Sequence, residues 1–274
     1  MNKSIVSFKN VTYQYPDGTT ALKNISLSIQ KGKKIALIGN NGAGKSTLFL
    51  LLNGILKPSE GELFLQGKKI TYTRKEIKAL RQKVGIVFQN PDSQLFSTSV
   101  FEDIQFGPKN LKLTKEEIQE TVEKAISLTE TDTLKDKPPH FLSLGQKKRV
   151  AIAGIIAMGP ELMILDEPTA GLDPYYSKKM MMILHELLDK DRTILLSTHS
   201  VDLAYEWADE IIVLHNGRIL AHGPPVDVFK QKDILQTSHL TQPWVMEVYE
   251  HLTSRSDYPR SKEELFVKLS SIKS

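Results

Sequence analysis

GNNGAGKST, residues 39–47, directly follows the apolar run Ile35-Ala36-Leu37-Ile38 and matches the phosphate-binding pattern G-x-x-x-x-G-K-[ST]. Average residue usage produces that pattern by accident in roughly one chain of this length in a hundred, so a plain Gly-rich turn is the weaker reading. Gly39, Gly42 and Gly44 let the backbone curl until several N–H groups converge on one anion, which a Cβ would obstruct. Lys45 then reaches the β and γ phosphates of a nucleoside triphosphate, and Ser46 presents its hydroxyl to Mg2+. The helix opening near Gly44 aims its positive end at the same charge. Asn40, Asn41, Ala43 and Thr47 complete the candidate triphosphate contacts, and the amphipathic segment 48–52 supplies the helix that must follow.

Two further segments carry chemistry. LMILDEP, residues 162–168, ends an apolar strand with two carboxylates, which puts Asp166 beside Mg2+ at the edge of a parallel sheet and lets Glu167 polarise a water. Adjacent Asp-Glu pairs also occur on solvated turns; the phosphate loop upstream favours the catalytic reading. FLSLGQKKRVAIAG, residues 141–154, places Ser143, Gly145 and Gln146 at the start of a helix, a second anion-binding end. An ordinary helix cap would look the same. One triphosphate does not need two such ends from one subunit.

Composition narrows the classes. The 274 residues can bury a large core, and 36 basic against 32 acidic residues leave a net charge of +4, too mild and too evenly spread for a nucleic-acid footprint. The absence of cysteine excludes disulfides and thiolate metal sites, and the seven histidines are scattered. No stretch is long enough to cross a bilayer; the most apolar, residues 150–165, is interrupted by Gly159-Pro160 and Glu161. Residues 1–7 lack signal-peptide character, so work at a membrane implies a partner that holds the chain there.

Periodicity orders the rest. Alternating runs at 5–15 and 25–29, separated by Pro16-Asp17-Gly18, predict an antiparallel pair, and 63–70 a further strand that turns at Gly67-Lys68. Buried strands are expected at 34–38, 84–88, 162–165, 193–197 and 211–214, with a last one at 218–221. Helices are expected at 75–82, 174–190 and 201–207, within 91–106 and 141–158, and from a Thr114/Glu117 capping box to about 128. After Pro224-Pro225 a short helix at 226–230 precedes irregular sequence through Trp244, and 259–269 closes the chain with a capping box at Ser261/Glu264. Short strands alternating with helices make a mostly parallel α/β core with antiparallel and helical additions.

Taken together these segments resemble the ATP-binding subunits of ABC transporters, whose defining motif LSGGQ reads LSLGQ here, with Leu144 in place of the first glycine. The likeness covers residues 4–222. It implies an α/β P-loop ABC ATPase with a mostly parallel core sheet, an N-terminal antiparallel β-subdomain, a helical signature subdomain at about 90–158 and a short C-terminal extension, 223–274, suited to dimerisation. It also implies that Tyr15 stacks on adenine and that Gln89 contacts Mg2+ and the attacking water. Ser46 and Asp166 would share that metal, Asp173 would sit in a loop crossing between subunits, and His199 would bond the γ phosphate. Two subunits, identical or paralogous, would pack head to tail, with ATP on residues 39–47 of one covered by Ser143, Gly145 and Gln146 of the other. Lys45, Gln89, Glu167 and His199 would carry the hydrolysis.

Residues 87–110 are similar to the energy-coupling-factor importers, and 202–225 to their cobalt-import ATP-binding members. That likeness implies a transmembrane coupling subunit, a substrate-binding membrane subunit and a place on the cytoplasmic side of the cell membrane. Cobalt or nickel is then the expected cargo, with a vitamin as the alternative. Acidic Asp92, Glu102 and Asp103 would suit basic residues arriving from the membrane subunit, solvated loop charges being the plain alternative. A soluble ABC ATPase is the competing class; a single phosphate loop and the lack of coiled-coil insertions argue against its two-cassette and repair forms. A nucleotide-gated scaffold would lack Glu167 or His199, and both are present.

Overall fold

Alternation of apolar side chains builds the first of two sheets. The computed structural model describes residues 4–188 and 192–271. Strands β1 (Ser4–Gln14) and β2 (Thr20–Gln30) pair antiparallel, and Val6, Phe8, Val11 and Leu22, Ile25, Leu27 lie in the core. Asn10 and Asn24, both at positive φ, stand at irregularities of this ladder, a conformation Asn tolerates better than most residues. The chain then runs through β3 (Lys34–Ile38) and α1 (Lys45–Leu52) to β4 (Glu60–Leu65) and β5 (Lys68–Lys69), which complete a sheet in the order β2-β1-β4-β5.

Next come α2 (Arg74–Lys83), β6 (Val84–Val87), α3 (Val100–Asn110), α4 (Lys115–Thr129) and α5 (Leu144–Met158). They are followed by β7 (Leu162–Leu165), α6 (Pro174–Glu186), β8 (Thr193–Ser197), α7 (Val201–Trp207), β9 (Glu210–His215) and β10 (Arg218–Gly223). The second sheet has the order β10-β9-β3-β8-β7-β6; β9, β3, β8, β7 and β6 run parallel, and β10 closes one edge antiparallel. Its strands are apolar on both faces because both are covered. Ile35 and Leu37 of β3 pack with α1 and the antiparallel sheet, whereas Ala36 and Ile38 join the core shared with α3, α4 and α5. The two-residue period of one strand thus welds two layers together.

Four helices close the described chain: α8 (Pro225–Phe229), α9 (Lys232–Ser238), α10 (Trp244–Leu252) and α11 (Lys262–Ser270). α9 falls where the sequence reads as irregular. It has no side-chain cap, and tertiary burial of Leu235 holds it where local propensity does not. At Ser261 the capping is one-sided: its Oγ accepts the Glu264 N–H at 3.2 Å, but the Glu264 carboxylate takes the Arg260 N–H at 2.8 Å. α3 runs past the expected end at 106, with Pro108 in its last turn, and α6 ends at Glu186. The expected end of that helix, at 190, lies outside the described residues.

Val228, Phe229, Met246, Tyr249 and Leu265 from these last helices join the same core as α7 and β9. Arg260 ties them down: Nε donates to the Tyr205 carbonyl at 2.7 Å, Nη2 to that of Ala208 at 2.6 Å, and the guanidinium lies 5.1 Å from the Tyr205 ring centroid. In return the Tyr205 hydroxyl donates to the Pro259 carbonyl at 3.0 Å. Arg260→Ala is expected to destabilise the fold by roughly 2–4 kcal/mol, read as a shifted urea midpoint with an unchanged slope. A midpoint equal to wild type would show that this anchor contributes nothing.

Candidate active site at the strand ends

The loop after β3 is shaped by close backbone approach. A Cβ on Gly39, at φ +155°, would lie 2.1 Å from the Leu214 carbonyl oxygen of the neighbouring strand. One on Gly44, at φ +105°, would lie 2.7 Å from the Ala21 carbonyl oxygen. α1 then opens with no side-chain cap and no acidic residue in its first turn, which leaves its N–H groups to an anion. The Lys45 side chain turns back into the loop, where Nζ donates to the carbonyls of Gly39 at 2.7 Å and Asn40 at 3.2 Å. Lys45 is only 7% exposed, and burial pulls its ammonium below the ordinary lysine value against the attraction of Glu167 and Asp166. Ala43 is buried, whereas Asn41 and Gly42 face solvent.

Two contacts brace the loop from outside. The Tyr15 hydroxyl and Thr47 Oγ1 share a hydrogen bond of 2.9 Å, which sets the half-buried Tyr15 ring beside the start of α1. Asn40 Nδ2 donates to the Ser238 carbonyl at 3.0 Å, so the C-terminal end of α9 touches the phosphate loop.

The carboxylates stand at the C-terminal ends of the parallel strands, where open α/β sheets present their sites. Asp166, just past β7, accepts from Ser46 Oγ at 2.8 Å on Oδ2 and from Ser197 Oγ at 2.6 Å on Oδ1. Glu167 has a left-handed backbone, φ 49°, and its N–H donates to the same Ser197 Oγ at 2.9 Å. Its carboxylate accepts from Gln89 Nε2 at 2.9 Å and faces His199 Nε2 at 2.5 Å. Gln89 follows β6 and His199 follows β8, so four strand ends and α1 meet here. Lys45, Ser46, Gln89, Asp166, Glu167 and His199 are thereby brought together. Ser197 was not singled out from sequence; a polar residue closing the apolar strand TILLS was its signal. Buried Lys148, which donates to the Glu167 and Ala170 carbonyls, was also missed: it stands between Lys147 and Arg149 at the polar start of α5, where the sequence does not mark it as buried.

The LSLGQ segment lies elsewhere. Ser143 caps α5: its Oγ accepts the Gln146 N–H, and Gln146 Oε1 accepts the Ser143 N–H at 2.9 Å, a reciprocal capping box. Leu144 is therefore an ordinary first-turn residue, and the position does not require glycine. Its side chain covers Gly171, whose Cβ would fall 2.9 Å from Leu144 Cδ2, and Gly145 faces Leu172. Asp173 caps α6 by accepting the Tyr176 N–H at 2.9 Å. Among the described residues, no hydrogen bond joins Ser143, Gly145 or Gln146 to residues 39–47. Within one chain the start of α5 and the loop at residues 39–47 are separate.

Known proteins share this arrangement. The sequence profile of the family described as "ABC transporter" matches residues 22–170. The chain belongs to that family and carries its ATP-binding, ATP-hydrolysing domain. It is 48% identical over 255 residues to the energy-coupling factor transporter ATP-binding protein EcfA of Methanocaldococcus jannaschii, covering 93% of this chain and 91% of that protein. Among solved structures it resembles cbiO1 of Clostridium perfringens, part of the ABC transporter complex cbiONQ. That likeness has a TM-score of 0.76 and 46% identity over 85% of this chain and 94% of the other. A dimeric ATP-binding cassette, MJ0796, bound to ADP and phosphate matches with a TM-score of 0.73 and 29% identity, covering 80% of this chain and 98% of that one.

Proposed function

We propose that the chain is the ATP-hydrolysing subunit of an energy-coupling-factor importer, and that the imported substrate is the cobalt ion. The carrying observation is the Glu167 carboxylate, held between Gln89 and His199 one residue from the Asp166–Ser46 pair. Lys45 and the N–H groups of residues 39–47 bind the β and γ phosphates, and Tyr15 supports adenine. The oxygen donors of Ser46, Gln89 and Asp166 suit Mg2+, a hard cation that shares its ligands with substrate phosphates. Bound there, Mg2+ would neutralise charge on the leaving and transferred phosphates. Glu167 accepts a proton from the attacking water, and His199 donates to the γ-phosphoryl oxygens as their charge grows. Ser143, Gly145 and Gln146 of a second copy or paralogue cover the same ATP, which makes each nucleotide part of the pairing surface. The dimeric form of the similar cassette supports that pairing.

The membrane partners would be a coupling subunit and a substrate-binding subunit, with this chain peripheral on the cytoplasmic face; no helix among the described residues is long and apolar enough to span a bilayer. An apolar groove suited to a coupling helix runs past Phe106, Met158 and Arg81, with Phe96, 68% exposed, edge-on to Phe106. The nearby carboxylates are already engaged: Asp92 with Lys147, Glu102 with Thr98, and Asp103 with the N–H groups of Phe96 and Ser97. Asp103 Oδ2 is buried and unpartnered among the described residues, whereas Asp92, 61% exposed, keeps a carboxylate open to solvent. We assign residues 4–222 to the ATPase domain and 223–274 to pairing, the latter supported by exposed Trp244, Val248 and Leu252, spaced four apart on α10. Cobalt rests on the likeness of residues 202–225 to cobalt-import ATP-binding proteins.

The test is radiolabelled Co2+ uptake by native cells, with wild type and Glu167→Gln compared at equal protein level. Loss of uptake in the variant is expected. Unchanged cobalt uptake overturns the metal reading and moves the assay to nickel, then vitamins.

A further inference from the structure

We propose that Lys148 is a positioning residue that clamps the signature helix α5 to the backbone of Glu167, so that engagement of the α5 N-terminus sets the aim of the catalytic carboxylate in the same chain. The inference rests on Glu167 acting as the proton acceptor. Lys148 is 2% exposed, and among the described residues no carboxylate pairs with it. Its Nζ donates instead to two backbone carbonyls, Glu167 at 2.9 Å and Ala170 at 2.7 Å. An ammonium taken out of water without a counter-ion is costly, and burial does depress its proton affinity against the pull of Glu167 and Asp166. A methionine would fill the same slot without that cost. The site therefore needs donors at this point, and the acceptors say where.

Glu167 has an unfavourable left-handed φ, and both of its peptide groups are pinned. Its N–H is held by Ser197 Oγ, and its carbonyl accepts from both Lys148 Nζ and the Ala170 N–H, the latter at 3.1 Å. The carboxylate reaches Gln89 and His199 only from that backbone. The loop holding Ala170 meets α5 at two more points, Leu144 over Gly171 and Gly145 against Leu172. Residues 144, 145 and 148 thus grip one loop whose first residue aims the carboxylate. A nucleotide of a second subunit that pulls on Ser143 and Gly145 moves α5, and Lys148 carries the displacement to Glu167.

Lys148→Met and Lys148→Gln separate this role from a structural one, because Gln keeps two N–H donors without the charge. ATPase rates are normalised to active sites titrated with a fluorescent ATP analogue. Lys148→Met is expected to lower kcat by about 10²-fold, as an ångström-scale misplacement does, with the analogue's Kd unchanged. Lys148→Gln is expected to recover most of that loss. Normal kcat in Lys148→Met overturns the proposal, as does an equal loss in both variants. If neither variant folds, Lys148 is a folding residue and the clamp falls. Wild type and Glu167→Gln in the same assay keep the two readings apart. A wild-type chain without turnover, or a Glu167→Gln chain at full rate, removes the proton-acceptor reading and the clamp with it. A Glu167-dependent rate untouched by Lys148→Met removes the clamp alone.

Discussion

Glu167→Gln is expected to lower ATP turnover by about 10³-fold while leaving ATP binding intact, as loss of a general base does. The amide keeps the length and planarity of the carboxylate and its contact with Gln89, but it cannot take a proton from water. The ground-state phosphate contacts of Lys45 and Ser46, in the loop and α1, are not touched. Steady-state phosphate release measures the first effect, and equilibrium binding of a fluorescent ATP analogue the second. If ATP also forms part of the surface between two copies, the variant stays paired in ATP where wild type hydrolyses it and comes apart. Size exclusion in ATP distinguishes the two. A variant that retains a tenth of the wild-type rate would rule out Glu167 as the proton acceptor.

Lys45→Met is expected to weaken ATP binding by about 10²-fold or more, the loss of charge-assisted hydrogen bonds to two phosphates. Its effect on the nucleotide-free fold runs the other way. The Lys45 ammonium is pulled below the ordinary lysine value mainly by burial, so the unfolded chain holds that proton more tightly than the folded one. Stability therefore rises as pH climbs through the folded value toward 10.5, and at neutral pH the buried charge works against folding. The melting temperature of Lys45→Met at pH 7 is expected to stay within about 3 °C of wild type, and any advantage it holds shrinks in alkali. With saturating MgATP only wild type gains the several degrees that ligand linkage brings. Thermal melts with and without nucleotide, at pH 7 and pH 9, read all of this. Equal nucleotide-induced shifts in both proteins would remove Lys45 from the binding site.

Asn40 adds a second link to that loop. Its side chain is held by Ser238, at the end of α9, so the extension and the phosphate loop are in direct contact. The same extension buries Tyr249, Met246 and Leu265 in the core around α7.

By itself the sequence determined the features that act over a few residues. Gly39 and Gly44 announce a loop in which backbone approaches backbone, and the structure supplies the Leu214 and Ala21 carbonyls they must clear. Apolar runs bounded by charge or glycine placed β3, β7 and β8, and the Thr114/Glu117 capping box placed the start of α4, because strand burial and helix capping are local. The motif residues could be named one by one on the same basis. Tertiary structure decided which of them meet. Ser46 and Asp166 are 120 residues apart, Asn40 and Ser238 198 apart, and Lys148 lies 19 from Glu167. A buried polar group needs a partner, but its own neighbourhood in sequence does not say which one; the sheet order β3-β8-β7-β6, which lines up the ends of these strands, does. The short helix α9 was decided in the same way, by a core it completes and not by its own residues.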